Sequence, residues 1–243
     1  MKYTKKMKYK IYLFDLDNTL LDFEAAAEKS IRITLSHFGV NPTDDVVNEY
    51  KRINSYYWME FEKGRIRKEE LLVRRFKDFF SKYLDEDHNS RLYSDESEVN
   101  DFYLNQLSMC NDMMPNALEL VSKLKDKDVK IYVVTNGVCK TQERRLRTCP
   151  LFKYFDDVFI SELIGYQKPK KEYFDYVFKA IKKDLNVDEI DKRKVLIVGD
   201  SIGADILGGQ NYGLDTCWYN PKNQKSDVNP TYNILDLLDI LEL

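Results

Sequence analysis

The chain is predicted to be an α/β protein, a parallel sheet covered by helices on both faces, with an all-helical segment inserted after the first strand. Three observations carry that prediction. Short β-branched runs ending in polar residues recur at 10–17 (KIYLFDLD), 130–137 (KIYVVTNG), 157–161 (DVFIS), 194–201 (KVLIVGDS) and 215–220 (DTCWYN). Helix-like segments separate the later runs, around 116–127, 139–148, 170–185 and 203–211. The stretch from 23 to about 109 has the texture of helices alone and contains no convincing strand. Mostly unbroken apolar strands that alternate with helices indicate a parallel sheet buried on both faces.

Within the inserted segment, four helices are expected in order. The first, FEAAAEKSIRITLSHFG, stops at Gly39, and the second begins at Thr43 as N-cap, carries acids in its first turn and stops at Gly64. The segments RKEELLVRRFKDFFSKYL and DESEVNDFYLNQLSMC complete the set, with a polar loop expected at 85–96. The expected division is therefore 1–21 with 110–243 as the sheet core and 22–109 as the helical insertion.

Composition narrows the function classes. A chain of 243 residues allows one or two domains. With 38 basic and 41 acidic residues, it lacks the basic excess of a nucleic-acid-binding surface, so no nucleic acid polymer is expected as partner. The four cysteines, Cys110, Cys139, Cys149 and Cys217, form no CxxC pair, which points to a reducing cytoplasm rather than a disulfide framework or a zinc site. The two histidines, His37 and His88, read as ordinary helix or loop residues. The basic start MKYTKKMKYK lacks the apolar stretch of a signal peptide, because Asp15 and Asp17 interrupt it. No apolar run approaches the ~20 residues of a membrane span, so a soluble protein with no membrane partner is expected.

Ligands of an open parallel sheet bind outside the carboxyl ends of its strands. The first run delivers Asp15 and Asp17 there, the second Thr135, Asn136 and Gly137, and the fourth Gly199 and Asp200 with Asp205 five residues on. A loop after the third carries Lys168 before Pro169, although Lys170 and Lys171 compete with it for notice. Clustered carboxylates repel one another and resist ionisation unless a cation joins them. Mg²⁺ takes oxygen ligands and a substrate phosphate, so the chemistry implied is phosphoryl transfer through a carboxylate. Asp15 is then the nucleophile that forms an aspartyl-phosphate, and Asp17 the group that protonates the leaving oxygen and later activates water. Thr135, the backbone N–H groups beside it and Lys168 are expected to hold phosphoryl oxygens.

Rival readings of the acids fail on spacing. An EF-hand loop starting at Asp15 needs Gly at its sixth position and Glu at its twelfth, where Leu20 and Ala26 stand. Neither GxGxxG nor GxxxxGK[ST] occurs.

These motifs resemble the haloacid dehalogenase-like hydrolase superfamily. DLDNT matches its DxDx[TV] signature at Asp15 and Asp17, TNG its Ser/Thr motif at Thr135, QKP its lysine motif at Lys168, and GDSIGAD its acidic motif at Asp200 and Asp205. The resemblance implies a Rossmann-like core, a mobile helical cap after the first strand, and Mg²⁺ held by Asp15, the backbone carbonyl of Asp17 and Asp200, with Asp205 behind them. Three stretches narrow it to the bacterial pyrimidine 5′-nucleotidase branch: INSYYWMEFEKGRI, YFDDVFISELIGYQKPKKEYFDYVF and VGDSIGADILGGQNYGLDTCWYN. The function implied is a Mg²⁺-dependent phosphatase for small phosphorylated substrates, most of all pyrimidine nucleoside 5′-monophosphates.

The alternatives are a phosphatase for another small metabolite such as a sugar phosphate, then a phosphomutase, a dehalogenase and a non-catalytic phosphate-binding protein. Dehalogenases of this superfamily lack the second Asp, so Asp17 speaks against that reading. The intact Asp15, Asp17, Lys168 and Asp200 speak against a non-catalytic protein. In the helical segment Trp58, flanked by Tyr56, Tyr57 and Phe61, offers a face on which a base could stack; packing of the bundle is the alternative reading, and the favoured one. Phe23 and Glu24, just past the acidic loop, are comparable substrate-binding candidates, and Arg74 and Arg75 either meet substrate or are solvated.

Overall fold

β1 (Ile11–Phe14) lies inside a six-stranded, all-parallel sheet in a computed structural model that describes residues 7–83 and 95–243. Its partners are β2 (Lys130–Thr135) on one side and β4 (Val195–Gly199) on the other. β3 (Asp157–Ile160) extends the sheet beyond β2, while β5 (Asp215–Tyr219) and β6 (Tyr232–Ile234) extend it beyond β4, giving the order β3-β2-β1-β4-β5-β6. The chain thus winds outward from β1 in one direction, then returns to build the other half. The order reverses between β1 and β4, where an α/β sheet opens a crevice at its carboxyl edge.

The unalternating apolar strands are buried on both faces. Tyr12, Phe14, Ile131, Val133, Leu196 and Val198 pack on one side with Leu120, Val121 and Leu124 of α5 (Ala117–Lys125). Ile11, Leu13, Tyr132, Val134, Val195 and Ile197 pack on the other with Tyr173, Phe174, Val177 and Ile181 of α8 (Lys171–Leu185). Successive strand residues point to opposite faces, so one strand feeds both cores.

The helix expected around 139–148 is α6 (Cys139–Arg147), and a short α7 (Ser161–Ile164) follows β3. The helix expected at 203–211 begins differently: Ile202–Leu207 is π-helical, and α9 (Gly208–Tyr212) continues it. There Ile206 N–H reaches back five residues to the Ser201 carbonyl at 3.2 Å. Such wide turns recur at functional sites. β6 was not expected: three residues, Tyr232 to Ile234, are too few to show a strand pattern.

Two compact units divide the chain, Met1–Phe23 with Asn111–Leu243 and Glu24–Cys110. The chain passes between them at Phe23/Glu24 and Cys110/Asn111, beside the expected junctions at 21/22 and 109/110. The helical unit is built from α1 (Phe23–His37), α2 (Asp44–Glu62), α3 (Lys68–Tyr83) and α4 (Glu96–Ser108). Thr43 caps α2 as expected, its hydroxyl accepting from Val46 N–H, and Asp95 caps α4 in the same way through Glu98 N–H. Gly39 and Gly64 take positive φ, 80° and 70°, just past α1 and α2, where glycine ends a helix without strain. Of the loop expected at 85–96, residues 85–94 lie outside the described residues, as does His88, while Asp95 and Glu96 open α4.

The core of this unit is aromatic, with Tyr50 stacked on Phe76 at 5.2 Å and edge-on to Phe79 at 5.7 Å. Arg75 is neither solvated nor exposed. It is buried among these rings, donating to Asn54 and Asn100 at 2.8 Å each, so it ties α3 to α2 and α4. Arg74 is exposed and pairs with Glu70 at 2.6 Å. Among the described residues no helix is long and apolar enough to cross a membrane.

Candidate active site

The carboxyl ends of β1, β2 and β4 bring the expected acids, threonine and lysine to one rim. Asp15 extends the ladder beyond β1, its N–H donating to the Val198 carbonyl at 2.8 Å, and the residue is buried. Lys168 donates its three ammonium hydrogens to Asp15 Oδ1 (2.6 Å), Asp205 Oδ1 (2.7 Å) and the Val134 carbonyl (2.6 Å). Lys168, expected to hold a phosphoryl oxygen, ends all three donors on protein oxygens. Lys171, one of its sequence competitors, is exposed and pairs with Asp175.

The Asn136 side chain, expected to contact substrate, binds the backbone of Lys168. It accepts from Lys168 N–H and donates to the Lys168 carbonyl, both at 2.9 Å. Both polar ends of this amide hold the backbone that carries the lysine. Gly137 N–H, expected to face phosphate, donates to Thr135 Oγ1 at 3.1 Å.

Asp205 is fully buried, with Oδ1 on Lys168 and Oδ2 accepting Ser201 N–H at 3.1 Å. It packs so closely on Gly199 that a Cβ there would lie 2.1 Å from Asp205 Oδ2. This contact accounts for the glycine before Asp200. Trp218 on β5 donates from Nε1 to the Asp200 carbonyl at 2.9 Å and so braces the loop behind that acid.

Asp15, Asp200 and Asp205 each offer an oxygen within 4.8 Å of the others. The set is all hard oxygen, the donor chemistry that suits Mg²⁺. Because both oxygens of Asp205 are already engaged, Asp15 and Asp200 are the carboxylates that fit the metal. The Asp17 side chain is not part of this group, which leaves Asp17 only the backbone carbonyl that the resemblance assigns to it. Burial pushes the Asp15 carboxyl up to about 7, with Asp205 and Asp17 adding to the rise and Lys168 opposing it. Burial, then Asp15 and Asp205, likewise raise the Asp200 carboxyl well above its ordinary range. Burial works against the charge of Lys168, but Asp15 and Asp205 outweigh it and hold the ammonium above its usual value. A divalent cation relieves the strain among the acids.

Asp17 points to α6. Its Oδ2 accepts from Gln142 Nε2 at 2.6 Å, and its Oδ1 accepts from Arg145 Nη1. Arg145 also lies over the ring of Phe23, with 5.8 Å from Cζ to the centroid. Trp58 belongs to the helical unit, half-buried and edge-on to Phe61 at 5.7 Å, with its indole Nε1 buried and without a partner among the described residues. Gln142, Arg145 and Trp218 were missed by the sequence reading. A signal for the first two existed: Gln142 and Arg145 sit three apart on the buried face of α6, where apolar residues are the norm.

The profile of the haloacid dehalogenase-like hydrolases matches residues 9–213. The chain belongs to this family. Over 97% of its length it is 37% identical to the HAD-hydrolase YfnB of Bacillus subtilis, covering 95% of that protein. The crystal structure of YfnB bound to magnesium superposes with a TM-score of 0.85, covering 97% of this chain and 100% of that one. Identity to pyrimidine 5′-nucleotidase PynA of Streptococcus pneumoniae is 35%, over 97% of this chain and 95% of PynA. Identity to pyrimidine 5′-nucleotidase YjjG of Escherichia coli is 30%, over 98% of each chain. As a haloacid dehalogenase-like hydrolase with these relatives, the protein is a phosphoric monoester hydrolase, and hydrolases of this family generally use Mg²⁺.

Proposed function

We propose that this phosphatase hydrolyses pyrimidine nucleoside 5′-monophosphates in the cytoplasm, through an aspartyl-phosphate on Asp15 and with Mg²⁺ as cofactor. The observation that carries the mechanism is the clamp on Asp15: Lys168 fixes Oδ1 at 2.6 Å, while Oδ2 accepts no hydrogen bond from the described residues. Asp15 and Asp200, with the backbone carbonyl of Asp17, would hold Mg²⁺, which supplies positive charge to the phosphoryl group.

Asp15 attacks phosphorus, and the bond from phosphorus to the ester oxygen breaks while Asp17 gives that oxygen a proton. Thr135 binds a phosphoryl oxygen. Its Oγ1 accepts from both Gly137 N–H and Gln142 Nε2 at 3.1 Å, so its own hydrogen is left to donate. In the second half, Asp17 takes a proton from water, the water oxygen bonds to phosphorus, and the bond to Asp15 breaks to restore the carboxylate. The helical unit acts as a cap that excludes water during the first half. The interdomain movement revealed by the crystal structure of magnesium-bound YfnB supports that role.

The substrate class rests on the two pyrimidine 5′-nucleotidase relatives and on Trp58 as a stacking surface. The free thiols of Cys110, Cys139, Cys149 and Cys217 suit a reducing cytoplasm. Purified protein with Mg²⁺ assayed against uridine, cytidine and thymidine monophosphates, purine monophosphates and hexose phosphates tests the reading. A pyrimidine preference is expected. A sugar phosphate turned over best would leave the phosphatase and remove the nucleotidase.

A further inference from the structure

We infer that Gln142 is a positioning residue for proton transfer to the leaving group, an inference that rests on the acid role proposed for Asp17. The side chain of Gln142 is buried, and each of its polar ends has a directed partner. Nε2 donates one hydrogen to Asp17 Oδ2 at 2.6 Å and the other to Thr135 Oγ1 at 3.1 Å. Oε1 accepts from Arg145 Nη1 at 3.1 Å, the same nitrogen that donates to Asp17 Oδ1.

This pattern fixes the amide in one orientation. Turned over, it would set its carbonyl against the Asp17 carboxylate and its N–H groups against a guanidinium. Its seat is equally specific: a Cβ on Gly137 would lie 2.1 Å from Gln142 Nε2, so only glycine lets the amide close over the Thr135 turn.

The consequence is a fixed spacing between two groups that must serve the same phosphate. Thr135 holds a phosphoryl oxygen, and Asp17 hands its proton to the ester oxygen. Those two oxygens are bonded to one phosphorus, so their separation is set by the substrate. One amide bonded to both side chains sets the matching separation in the protein. In the transfer the O–H bond of Asp17 breaks, the proton goes to the departing alkoxide oxygen, and the carboxylate left behind is received by Gln142 and Arg145.

Leaving-group dependence separates this role from mere packing. An alkoxide needs the proton to depart, whereas p-nitrophenolate departs without one. Gln142→Met keeps the bulk and removes the donor. It should lower kcat/KM for the best alkyl monophosphate of the wild type by about tenfold to a hundredfold, the range for a lost hydrogen bond to a charged group. For p-nitrophenyl phosphate the fall should be less than about threefold. Should Gln142→Met not fold, Gln142→Ala reads the same ratio. Equal losses on both substrates, or no loss on either, overturn the inference. Asp17→Asn is measured alongside and should shift the ratio in the same direction by more. A shifted Asp17→Asn profile with a flat Gln142 variant removes only the positioning. A flat Asp17→Asn profile removes the acid role itself.

Discussion

Lys168 Nζ lies 2.6 Å from Asp15 Oδ1, and the two side chains are 1% and 10% exposed. A lysine this deep is stable only because acids surround it, and here Asp205 shares the same ammonium at 2.7 Å. The pair joins the end of β1 to the loop after α7, two segments 153 residues apart in sequence. It orients the carboxylate proposed to attack phosphorus and offsets part of the charge of the acid cluster.

Lys168→Met should therefore destabilise the metal-free protein by about 3–5 kcal/mol, the usual cost of removing one partner from a buried pair. The loss should be larger at pH 8 than at pH 6, because at the lower pH a remaining carboxyl can take up a proton. Thermal denaturation at both pH values checks this, and an unchanged Tm would contradict it.

Mg²⁺ binding should weaken as pH falls. The Asp15 carboxyl is raised from its ordinary 3.8 to about 7, so below that pH the metal-free protein holds a proton that Mg²⁺ must displace. The sign for stability follows: between these two values the folded chain keeps a proton the unfolded chain has lost, so Asp15 destabilises the metal-free fold increasingly as pH rises. Apparent affinity should fall about tenfold per pH unit below 7 for one displaced proton. Calorimetric titration at pH 8 and pH 6 gives the comparison, and equal affinities would remove the linkage.

Trp58→Ala should erode the preference for pyrimidine nucleotides while p-nitrophenyl phosphate hydrolysis stays near wild type. Stacking of a base on an aromatic face contributes ~1–3 kcal/mol, which corresponds to about fivefold to 150-fold in kcat/KM. Parallel loss of both activities, or a collapsed Tm, would mean that the indole packs the bundle and does nothing more.

Much of the site was legible because it stands where strands end. A run such as Ile11 to Phe14, apolar and buried throughout, followed at once by the carboxylate of Asp15, marks a place where apolar packing gives way to chemistry. The same change from apolar to polar residues marks Thr135 at the end of β2 and Asp200 after β4. What stayed hidden depends on docking angles that a linear pattern does not encode. Gln142 and Arg145 look like any polar residues on a helix until α6 is laid against the loop of Asp17. Asn136 looked like a phosphate ligand because it follows Thr135, yet its amide turns to the Lys168 backbone, 32 residues away. Within the π-helical start at Ile202, Asp205 accepts from Ser201 N–H and from Lys168 together, contacts that no helix propensity encodes.

The central claim is that Asp15 carries the phosphoryl group. Rapid acid quench during turnover of a radiolabelled monophosphate with Mg²⁺, followed by peptide mapping, tests it most directly. The wild type should yield label on the peptide that contains Asp15, and Asp15→Asn should yield neither label nor turnover. Label on another residue, or turnover at the wild-type rate by Asp15→Asn, would contradict the account.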